Sequence, residues 1–501
     1  MISTASPPSS RTGRGPTGTP PTCDATASNP IVILGAGPCG LVAADHLARN
    51  GREVVLIEEQ PFVGGAAASV RFGDFTCDFG PHAYHVKGDR IDVLMRELAN
   101  GPLAEKDIHQ RLIIGEKLLN YPLVFWEVVK QLHPLFVLRA IVDYVVANIT
   151  YKVCKVPDDS FERWGIKRFG FALYHLCFGQ YTQRVWGVHP TQISPKLASQ
   201  KLHKLNLLDL IWKLLGGRGQ EQATYWRKFY YPDAGIGALW EGLRRRIESA
   251  GGTVVTGAEV VRLERDGETI VAVTYRTPDG EVRQPCSGVV STIPVGRMAA
   301  MLAPALDDEV VLAARDMKYR CLIVVNLVFD CPRIIDQHWI YLLDPRFRYN
   351  RFSEQKNLGS RCAPQDKSVL AFELTCNMDD GVWLASDDVL RQRTLDEAAK
   401  FPGLPLDRVI GCHVQRMKRA YPMYDLDFDR RLKVIFDGLG RIENLWSTGR
   451  HGLFLNCDMH DTMEMGLKLA EKLLDDGRQS PAEYYAGVGG YLRHKMSAAR
   501  T

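Results

Sequence analysis

The residues with the clearest chemical task are three closely spaced glycines, Gly35, Gly37 and Gly40. In this pattern Gly35 permits a tight turn, Gly37 lets the backbone approach a pyrophosphate, and Gly40 lets a helix pack closely on a strand. Glu58 stands where an acidic residue accepts a hydrogen bond from an adenosine ribose. Glu59 is the alternative for that contact, but it points to the opposite face of a strand. The spacing predicts a dinucleotide-binding site rather than a glycine-rich surface turn.

The flanking segments supply the β–α–β unit that such a site requires. An apolar, β-branched run at Ile31–Leu34 predicts a strand that ends at the first glycine. The helical pattern over 41–50 ends before Gly51, which stands at the position of a helix C-cap glycine. A second strand over Val54–Ile57 leads directly into Glu58. Strand, helix and acid agree with one another, which favours a phosphate-binding turn.

A second loop of small residues selects among the dinucleotides. Gly64 and Gly65 follow the acidic residue of the second strand and precede a run of alanines. A loop at this place approaches the same pyrophosphate and suits the larger dinucleotide, FAD. The predicted cofactor is therefore FAD.

Composition limits the class of protein. The 501 residues exceed what one simple core holds, and about two or three domains are expected. The formal net charge of +4 is too small to indicate a nucleic-acid partner. Twelve cysteines without a CxxC pair predict reduced, packed thiols in a cytoplasmic protein, without a metal site.

Two stretches bear on targeting and membranes. Residues 1–30 are rich in Ser, Thr, Pro and Gly and are expected to form a disordered tail. No membrane span is predicted, because no stretch of about twenty apolar residues is free of charges. The nearest approach, 121–151, is interpreted as two buried or partly interfacial helices. Its apolar part, 123–146, has three alternative roles: contact in a homodimer, contact with a lipid-like substrate, or the core.

The order of elements predicts an α/β protein with a discontinuous FAD-binding Rossmann-like domain, a helical insertion and a mixed-sheet substrate domain. The predicted segments are a disordered tail at 1–30, FAD-binding parts at 31–110, 231–300 and 441–480, a helical substrate domain at 111–230, a mixed-sheet substrate domain at 301–440 and a C-terminal extension at 481–501.

Local patterns predict the individual elements. A single strand is expected over 70–78, a helix over 90–98 and a hairpin over 112–119. Helical periodicity runs through 123–215. Strands are predicted at 253–256, 260–263, 271–275 and 288–293, and this block is expected to rejoin the first β–α–β unit. Strands of a mixed second sheet are predicted at 321–329, 339–343 and 368–376.

Several separated segments, taken in order, resemble UDP-galactopyranose mutases and the related protoporphyrinogen oxidase-like flavoproteins of the amine oxidase superfamily. Together the matches cover 31–474. Beyond the glycine pattern they are GPHAYH at 80–85, YPL at 121–123, YTQRVWG at 181–187, YYPDAGIG at 230–237, RFSEQK at 351–356 and GRHGLFLNCDMH at 449–460.

The resemblance implies roles for residues on the substrate side of the flavin. His82 and His85 match histidines that lie beside the flavin ring, and Gly80 belongs to the same loop. Trp186 matches a tryptophan of the sugar-nucleotide pocket, and Tyr181 opens its segment. Core packing is the alternative role for Trp186.

The resemblance also implies which residues lie near the flavin and the substrate phosphate. The resemblance places Arg351 near both, and His82, His85 and Arg351 are the catalytic candidates. A surface ion pair is the alternative role for Arg351. The residues implied in holding the flavin and its pyrophosphate are Gly449, Arg450, Asp458 and Met459.

One departure from the mutase pattern concerns the substrate. Where the mutases carry a tyrosine that grips the substrate diphosphate, this chain has Asn456 and Cys457. Asn456 is therefore the substrate-binding candidate at that position. The change puts a UDP-linked substrate in doubt and leaves the flavin positions intact.

Three functions follow from the residues and the resemblance. The first is an FAD-dependent oxidoreductase acting on a small molecule of the sugar or nucleotide-sugar class. The alternative is a mutase-type isomerase that uses reduced FAD as a nucleophile without net oxidation. The third, a flavin-binding protein without catalysis, is disfavoured by the aromatic and basic residues expected beside the flavin.

Overall fold

The computed structural model describes residues 29–84, 90–99, 103–115, 117–121, 133–201, 228–475 and 480–487. The predictions for His85, for the tail at 1–28 and for helices at 122–132 and 202–227 lie outside the described residues.

The described chain contains both strands and helices, with runs of consecutive strands such as β9 to β13. The strands are β1 (Ile31–Leu34), β2 (Val54–Ile57), β3 (Ser69–Phe72), β4 (Phe75–Asp78), β5 (Ala104–Asp107), β6 (Gln110–Ile114), β7 (Lys117–Asn120), β8 (Lys228–Tyr231), β9 (Thr253–Val255), β10 (Glu259–Asp266), β11 (Thr269–Thr277), β12 (Gly280–Pro285), β13 (Gly288–Ser291), β14 (Leu302–Ala303), β15 (Tyr319–Phe329), β16 (Trp339–Leu342), β17 (Arg351–Glu354), β18 (Ser368–Cys376), β19 (Val409–Pro422) and β20 (Leu445–Ser447). The helices are α1 (Pro38–Arg49), α2 (Arg90–Leu98), α3 (Pro134–Val153), α4 (Phe161–Tyr174), α5 (Gln180–Trp186), α6 (Lys196–Lys201), α7 (Gly237–Ser249), α8 (Val295–Ala300), α9 (Asp308–Arg315), α10 (Gln355–Leu358), α11 (Asp387–Ala398), α12 (Phe428–Leu439), α13 (Gly449–Gly452) and α14 (Met459–Leu474).

A five-stranded parallel sheet forms the first half of the framework. Its order is β20-β13-β1-β2-β9, so strands from both ends of the chain lie beside β1. Every residue of β1, β2, β13 and β20 is buried, as expected where helices cover both faces of a parallel sheet. The prediction that the strand near residue 288 rejoins the first β–α–β unit is confirmed.

A seven-stranded mixed sheet forms the second half, in the order β19-β15-β18-β17-β16-β6-β7. The predicted mixed sheet is confirmed, and the predicted hairpin β6–β7 extends its edge. In this sheet β17 and β18 pair antiparallel, with Arg351 directly opposite Glu373. That register brings two charged side chains together within a largely apolar sheet.

Two strand predictions near the first sheet are wrong in detail. The segment 70–78 is a hairpin, β3 and β4, because Gly73 adopts a positive φ of 58° and turns the chain back on itself. Strands β10 and β11 do not join the parallel sheet; they form a separate four-stranded sheet with β12 and β14. Alternating burial along β11 fits a sheet that is covered on one face.

The helical region between the sheets contains α3 to α6 and one sharp bend. Gly170 has a positive φ of 73° and bends α4, and a Cβ atom there would lie 2.6 Å from the backbone nitrogen of Tyr144. A glycine is thus required for α4 to approach α3 this closely. Helix α5 then carries Tyr181 and Trp186.

Helices α1 and α14 pack against each other through small residues. A Cβ atom on Gly466 would lie 2.2 Å from the carbonyl oxygen of Cys39, in the first turn of α1. Similarly, a Cβ atom on Gly40 would lie 2.0 Å from the carbonyl oxygen of Gly35. Because these glycines have no side chains, the backbones of the two helices and of the turn after β1 are in direct contact.

The first prediction concerns this contact. The substitution Gly466→Ala forces the helices apart, and overpacking of this kind costs roughly 1–3 kcal/mol. Gly381→Ala is the matched control, since a Cβ atom at Gly381 has no atom within 4 Å. Urea unfolding of both variants checks the expectation. Equal unfolding free energies for the two variants would contradict it.

Candidate active site

A cavity of about 1680 Å³ opens between the two sheets and the helical region. It lies at the carboxyl edge of the parallel sheet, the usual ligand edge of such sheets. The predicted site residues that line it are Gly35, Gly37, Glu58, Gly65, His82, Tyr181, Trp186, Arg351, Arg450, Asn456, Asp458 and Met459. The structure thus brings together residues from distant parts of the chain.

One end of the cavity has the form of an anion site. Gly35 turns the chain with a φ of 95°, and Gly37 precedes α1 without a side chain that caps the helix. The amide groups of the first turn of α1 are therefore left for a ligand, and the helix dipole favours an anion there. The second glycine loop closes on the first, since a Cβ atom on Gly65 would lie 3.1 Å from Gly37 Cα.

Glu58 lines the same end and is held by backbone amides. Its carboxylate accepts hydrogen bonds from the N–H groups of Ala36 at 2.7 Å and Gln60 at 2.9 Å. Burial raises the pKa of Glu58, and the two amides offset part of that effect. Glu59 forms an ion pair with Arg297 instead. The geometry leaves Glu58 with free acceptor positions at the cavity wall.

The last part of the chain completes this wall. Asp458 caps the N-terminus of α14 in a capping box with Asp461. Gly449 has a φ of 75°, and a Cβ atom there would lie 2.9 Å from Cys39 Sγ. Helices α1 and α14 therefore begin at one cavity. The N-terminus of α1 is left for an anionic ligand, whereas Asp458 and Asp461 already supply negative charge at the N-terminus of α14.

Arg450 is fixed at the cavity by its neighbours. It donates hydrogen bonds to the carbonyl oxygen of Cys457 at 2.7 Å and to Asn456 Oδ1 at 3.3 Å. Its Nε atom is buried and has no hydrogen-bond partner among the described residues. Asn456 in turn donates to the carbonyl oxygen of Pro422 at 3.1 Å. The Asn456 side-chain amide therefore links the Arg450 guanidinium to the Pro422 backbone and holds it in place.

Arg351 is paired within the mixed sheet. Its Nε atom lies 2.5 Å from Oε1 of Glu373, and Glu373 is 2% exposed. Gly80 makes room for this acid, because a Cβ atom there would lie 2.8 Å from Glu373 Oε1. Glu373 belongs to no motif and was not predicted from the sequence. The signal available was a single acid in the apolar run of β18, since a buried charge requires a partner.

His82 lies near both arginines. Burial, Arg351 and Arg450 lower its pKa to about 3, from an ordinary value of 6.5. The imidazole is therefore neutral near pH 7, and its buried Nε2 atom has no hydrogen-bond partner among the described residues. His82 can form a hydrogen bond with a ligand, but its imidazole does not carry a second proton near pH 7.

Aromatic side chains wall the compartment beside the arginines. Trp186 makes an edge-to-face contact with Tyr421, with ring centroids 6.3 Å apart. The guanidinium of Arg450 lies 5.5 Å from the Tyr421 ring centroid, and that of Arg351 lies 6.0 Å from the Tyr341 ring centroid. Tyr341 and Tyr421 were not singled out from the sequence, because a tyrosine in a strand carries no motif. Such a compartment suits a planar or sugar-like ligand with an anionic group.

The far end of the cavity has a different character. Its lining there comes from the helical region and is apolar, with Val137, Ile141, Phe169, Leu173 and Phe178. The cavity therefore joins a cationic, aromatic compartment to an apolar one.

Two family descriptions match the chain. "NAD(P)-binding Rossmann-like domain" matches residues 33–98, and "Flavin containing amine oxidoreductase" matches residues 177–463. The chain belongs to the flavin-containing amine oxidoreductase family. The protein is therefore a flavin-dependent enzyme, as the sequence predicts. The glycine loops, the uncapped N-terminus of α1 and the start of α14 at the cavity wall fit a flavin cofactor.

Curated relatives match only parts of the chain. The protein anon-37Cs of Drosophila simulans is 38% identical over 92 residues, 18% of each chain. A probable UDP-galactopyranose mutase of Klebsiella pneumoniae is 24% identical over 187 residues, 36% of this chain and 46% of that protein. The chain thus covers less than half the length of these relatives.

Solved structures match nearly the whole chain and share its fold. A reduced UDP-galactopyranose mutase has a TM-score of 0.77 at 19% identity, covering 93% of this chain and 98% of the mutase. A putative protoporphyrinogen oxidase from Exiguobacterium has a TM-score of 0.66 at 17% identity, covering 90% and 99%. A putrescine oxidase has a TM-score of 0.58 at 14% identity, covering 90% and 99%. The predicted fold class and family resemblance are confirmed.

The second prediction concerns the protonation of His82. Its folded pKa lies below its ordinary value, so its contribution to stability is complete above about pH 6.5 and is lost as the pH falls toward 3. The loss at pH 5 is up to roughly 2 kcal/mol. In urea unfolding of flavin-free protein at pH 7 and pH 5, His82→Gln is expected to lose less stability than the wild type. His189→Gln, at an exposed position, is the matched control and keeps the wild-type dependence.

The same experiment shows when this account of His82 fails. If His82→Gln and wild type lose equal stability between pH 7 and pH 5, the histidine is not held neutral by its surroundings.

Proposed function

We propose that the protein is an FAD-dependent oxidoreductase that acts on an anionic small molecule of the sugar or nucleotide-sugar class. The observation that carries the proposal is the convergence of two guanidinium groups, Arg351 and Arg450, on the aromatic compartment. Glu373 neutralises the first, whereas the second has uncharged partners among the described residues. The compartment therefore keeps a net attraction for an anion.

The first glycine turn supports FAD over a mononucleotide flavin. The glycine loops and the N-terminus of α1 provide a site for a pyrophosphate, and Glu58 lies beyond them at the ribose end. FMN has neither the pyrophosphate nor the adenosine that these groups suit.

Arg351 and Arg450 also bear on the charge of the substrate. An ammonium substrate would be repelled by the Arg450 guanidinium, which has uncharged partners among the described residues, whereas the charge of Arg351 is balanced by Glu373. A phosphate or carboxylate would be attracted by the Arg450 guanidinium, which lines the cavity and has uncharged partners among the described residues. We therefore do not extend the amine substrate of the putrescine oxidase to this chain.

Each part of the site has a task in this reaction. The bound flavin supplies two-electron redox chemistry. The α1 N-terminus holds an anionic group, and Glu58 orients a hydroxyl. His82 exchanges a hydrogen bond through Nε2, and Arg351 and Arg450 orient the substrate anion. Trp186 and Tyr421 exclude water from the compartment.

A mutase-type isomerisation is the second candidate. The observation that favours it is the fold match over 98% of the length of the reduced UDP-galactopyranose mutase. Asn456 opposes it, because its amide is bound to Pro422 and Arg450 where the mutase pattern has a phenol. The two candidates differ in whether substrate and product are isomers.

One anaerobic experiment separates the candidates. Purified protein is incubated with UDP-galactose, UDP-glucose, galactose 1-phosphate or putrescine, with the flavin either oxidised or chemically reduced. Bleaching of the oxidised flavin by an anionic sugar supports the oxidoreductase. Turnover only with reduced flavin, to an isomeric product, supports the mutase. Bleaching by putrescine alone contradicts the anionic substrate, and the flavin released by denaturation must be FAD.

The third prediction concerns the shape of the Arg351 cation. Arg351→Lys keeps the charge beside Glu373 but removes the planar fork, so KM for the reactive anionic substrate is expected to rise about tenfold. Arg333→Lys, in an exposed pair with Asp336, is the control and leaves KM unchanged. Steady-state kinetics check this. Loss of bound flavin in Arg351→Lys would instead assign the residue a structural role.

A further inference from the structure

Helix α3 exposes an apolar face that the fold leaves uncovered by any described residue. Eight large apolar side chains on it are exposed, from 48% at Val145 to 74% at Val153, and include Leu138, Val142 and Ile149. Among the described residues, α3 is the one helix whose length and composition would allow it to cross a membrane, with a mean hydropathy of 1.3 over 18 residues. An apolar surface of this extent marks a contact with a partner.

The opposite face of α3 is fastened to the protein. Ala140, Tyr144 and Ala147 are buried, and Gly170 lets α4 approach the Tyr144 backbone. Asp143 accepts a hydrogen bond from the N–H of Ala172 at 3.1 Å. Because α4 covers this face, the opposite face of α3 is exposed along the length of the helix, as in a helix that lies in the plane of a membrane surface.

Cations border the exposed apolar stripe. At about 100° per residue, Arg139 and Lys152 fall on opposite edges of the stripe, and both are exposed. Arg139 lies 3.7 Å from Asp143. The nearby acids Asp158 and Asp159 are themselves paired with Lys167 and Arg163. An apolar stripe with cationic borders is complementary to a surface with acyl chains and anionic headgroups.

The apolar end of the cavity lies along the same helix. Val137, Ala140 and Ile141 line the cavity, and Ile141 is also 52% exposed. Because Ile141 belongs both to the cavity wall and to the exposed stripe, a bilayer on the stripe would bring acyl chains to the apolar end of the cavity.

We propose that the exposed face of α3 docks onto an anionic phospholipid bilayer, with the helix lying in the interface. Ile141 then lies against the acyl chains, beside the apolar end of the cavity that a substrate with an apolar part would occupy. This inference concerns where the protein docks and does not depend on the reaction of the flavin.

Vesicle flotation of the full-length flavin-loaded protein tests the proposal. The vesicles contain phosphatidylcholine alone or an equal mixture with phosphatidylglycerol. The wild type is expected to float with the mixed vesicles and to bind less tightly as salt rises. The variant Leu138→Glu/Val142→Glu/Ile149→Glu is expected to bind at least about tenfold more weakly, because its apolar contact is lost.

A matched control carries the same charges on other surfaces. Leu312→Glu/Leu384→Glu/Ile410→Glu alters side chains that are 60%, 73% and 54% exposed, and it is expected to float as the wild type does. Arg139→Glu/Lys152→Glu is a second variant that spares the apolar stripe. It is expected to weaken binding to the mixed vesicles by at least about tenfold. Bound flavin, read from visible absorbance, reports that each variant is folded.

Three outcomes would overturn the proposal. The first is a wild type that does not float but forms a dimer that the α3 variant dissociates, which means that a second copy covers the helix. The second is a monomer that does not float and whose α3 variant melts at a lower temperature, which means that another segment of this chain covers it. The third is equal loss of flotation in the control and α3 variants, which means that binding is not specific to this face.

Discussion

The site depends on the direct contact between the backbones of helices α1 and α14. The contact exists because Gly466 and Gly40 lack side chains at the points where carbonyl oxygens of α1 and its preceding turn approach them. It brings the N-termini of two helices, from opposite ends of the chain, to one cavity wall. The α1 terminus offers amide donors and partial positive charge to an anion. The start of α14 lies at the same wall with its capping box already formed, so one extended cofactor can contact both segments.

The charges of the cavity depend on the same arrangement. Gly80 admits Glu373 beneath Arg351, and the strand register sets the two opposite each other. Arg450 is braced by carbonyl and amide oxygens, which hold it in place without removing its charge. Removing a cation from water is costly unless an anion accompanies it. Arg351 has Glu373, whereas Arg450 has uncharged partners among the described residues, so Arg450 favours an anionic ligand. His82 stays neutral for the same reason.

Local patterns predict the local parts of this structure. Strands β1 and β2 and helix α2 have the predicted bounds, because hydrophobic period and glycine position act over neighbouring residues. The partner of Arg351 could not be predicted, because it depends on the register of two strands separated by a long connection. Likewise, the apolar run of α3 indicated three roles, and only tertiary packing shows which face is left exposed. Most of the motif residues predicted for the site line the cavity. Glu373 and Tyr421, which belong to no motif, line it too and were not predicted.

The central claim is that segments from the two ends of the chain hold one flavin dinucleotide. Amide hydrogen exchange of flavin-free and FAD-loaded protein, read by mass spectrometry of peptides, tests it most directly. Peptides covering the β1–α1 turn and the start of α14 are expected to gain protection together on addition of FAD, while β12, in the separate four-stranded sheet, is unchanged. Protection of the first turn alone, or of neither segment, would contradict the account.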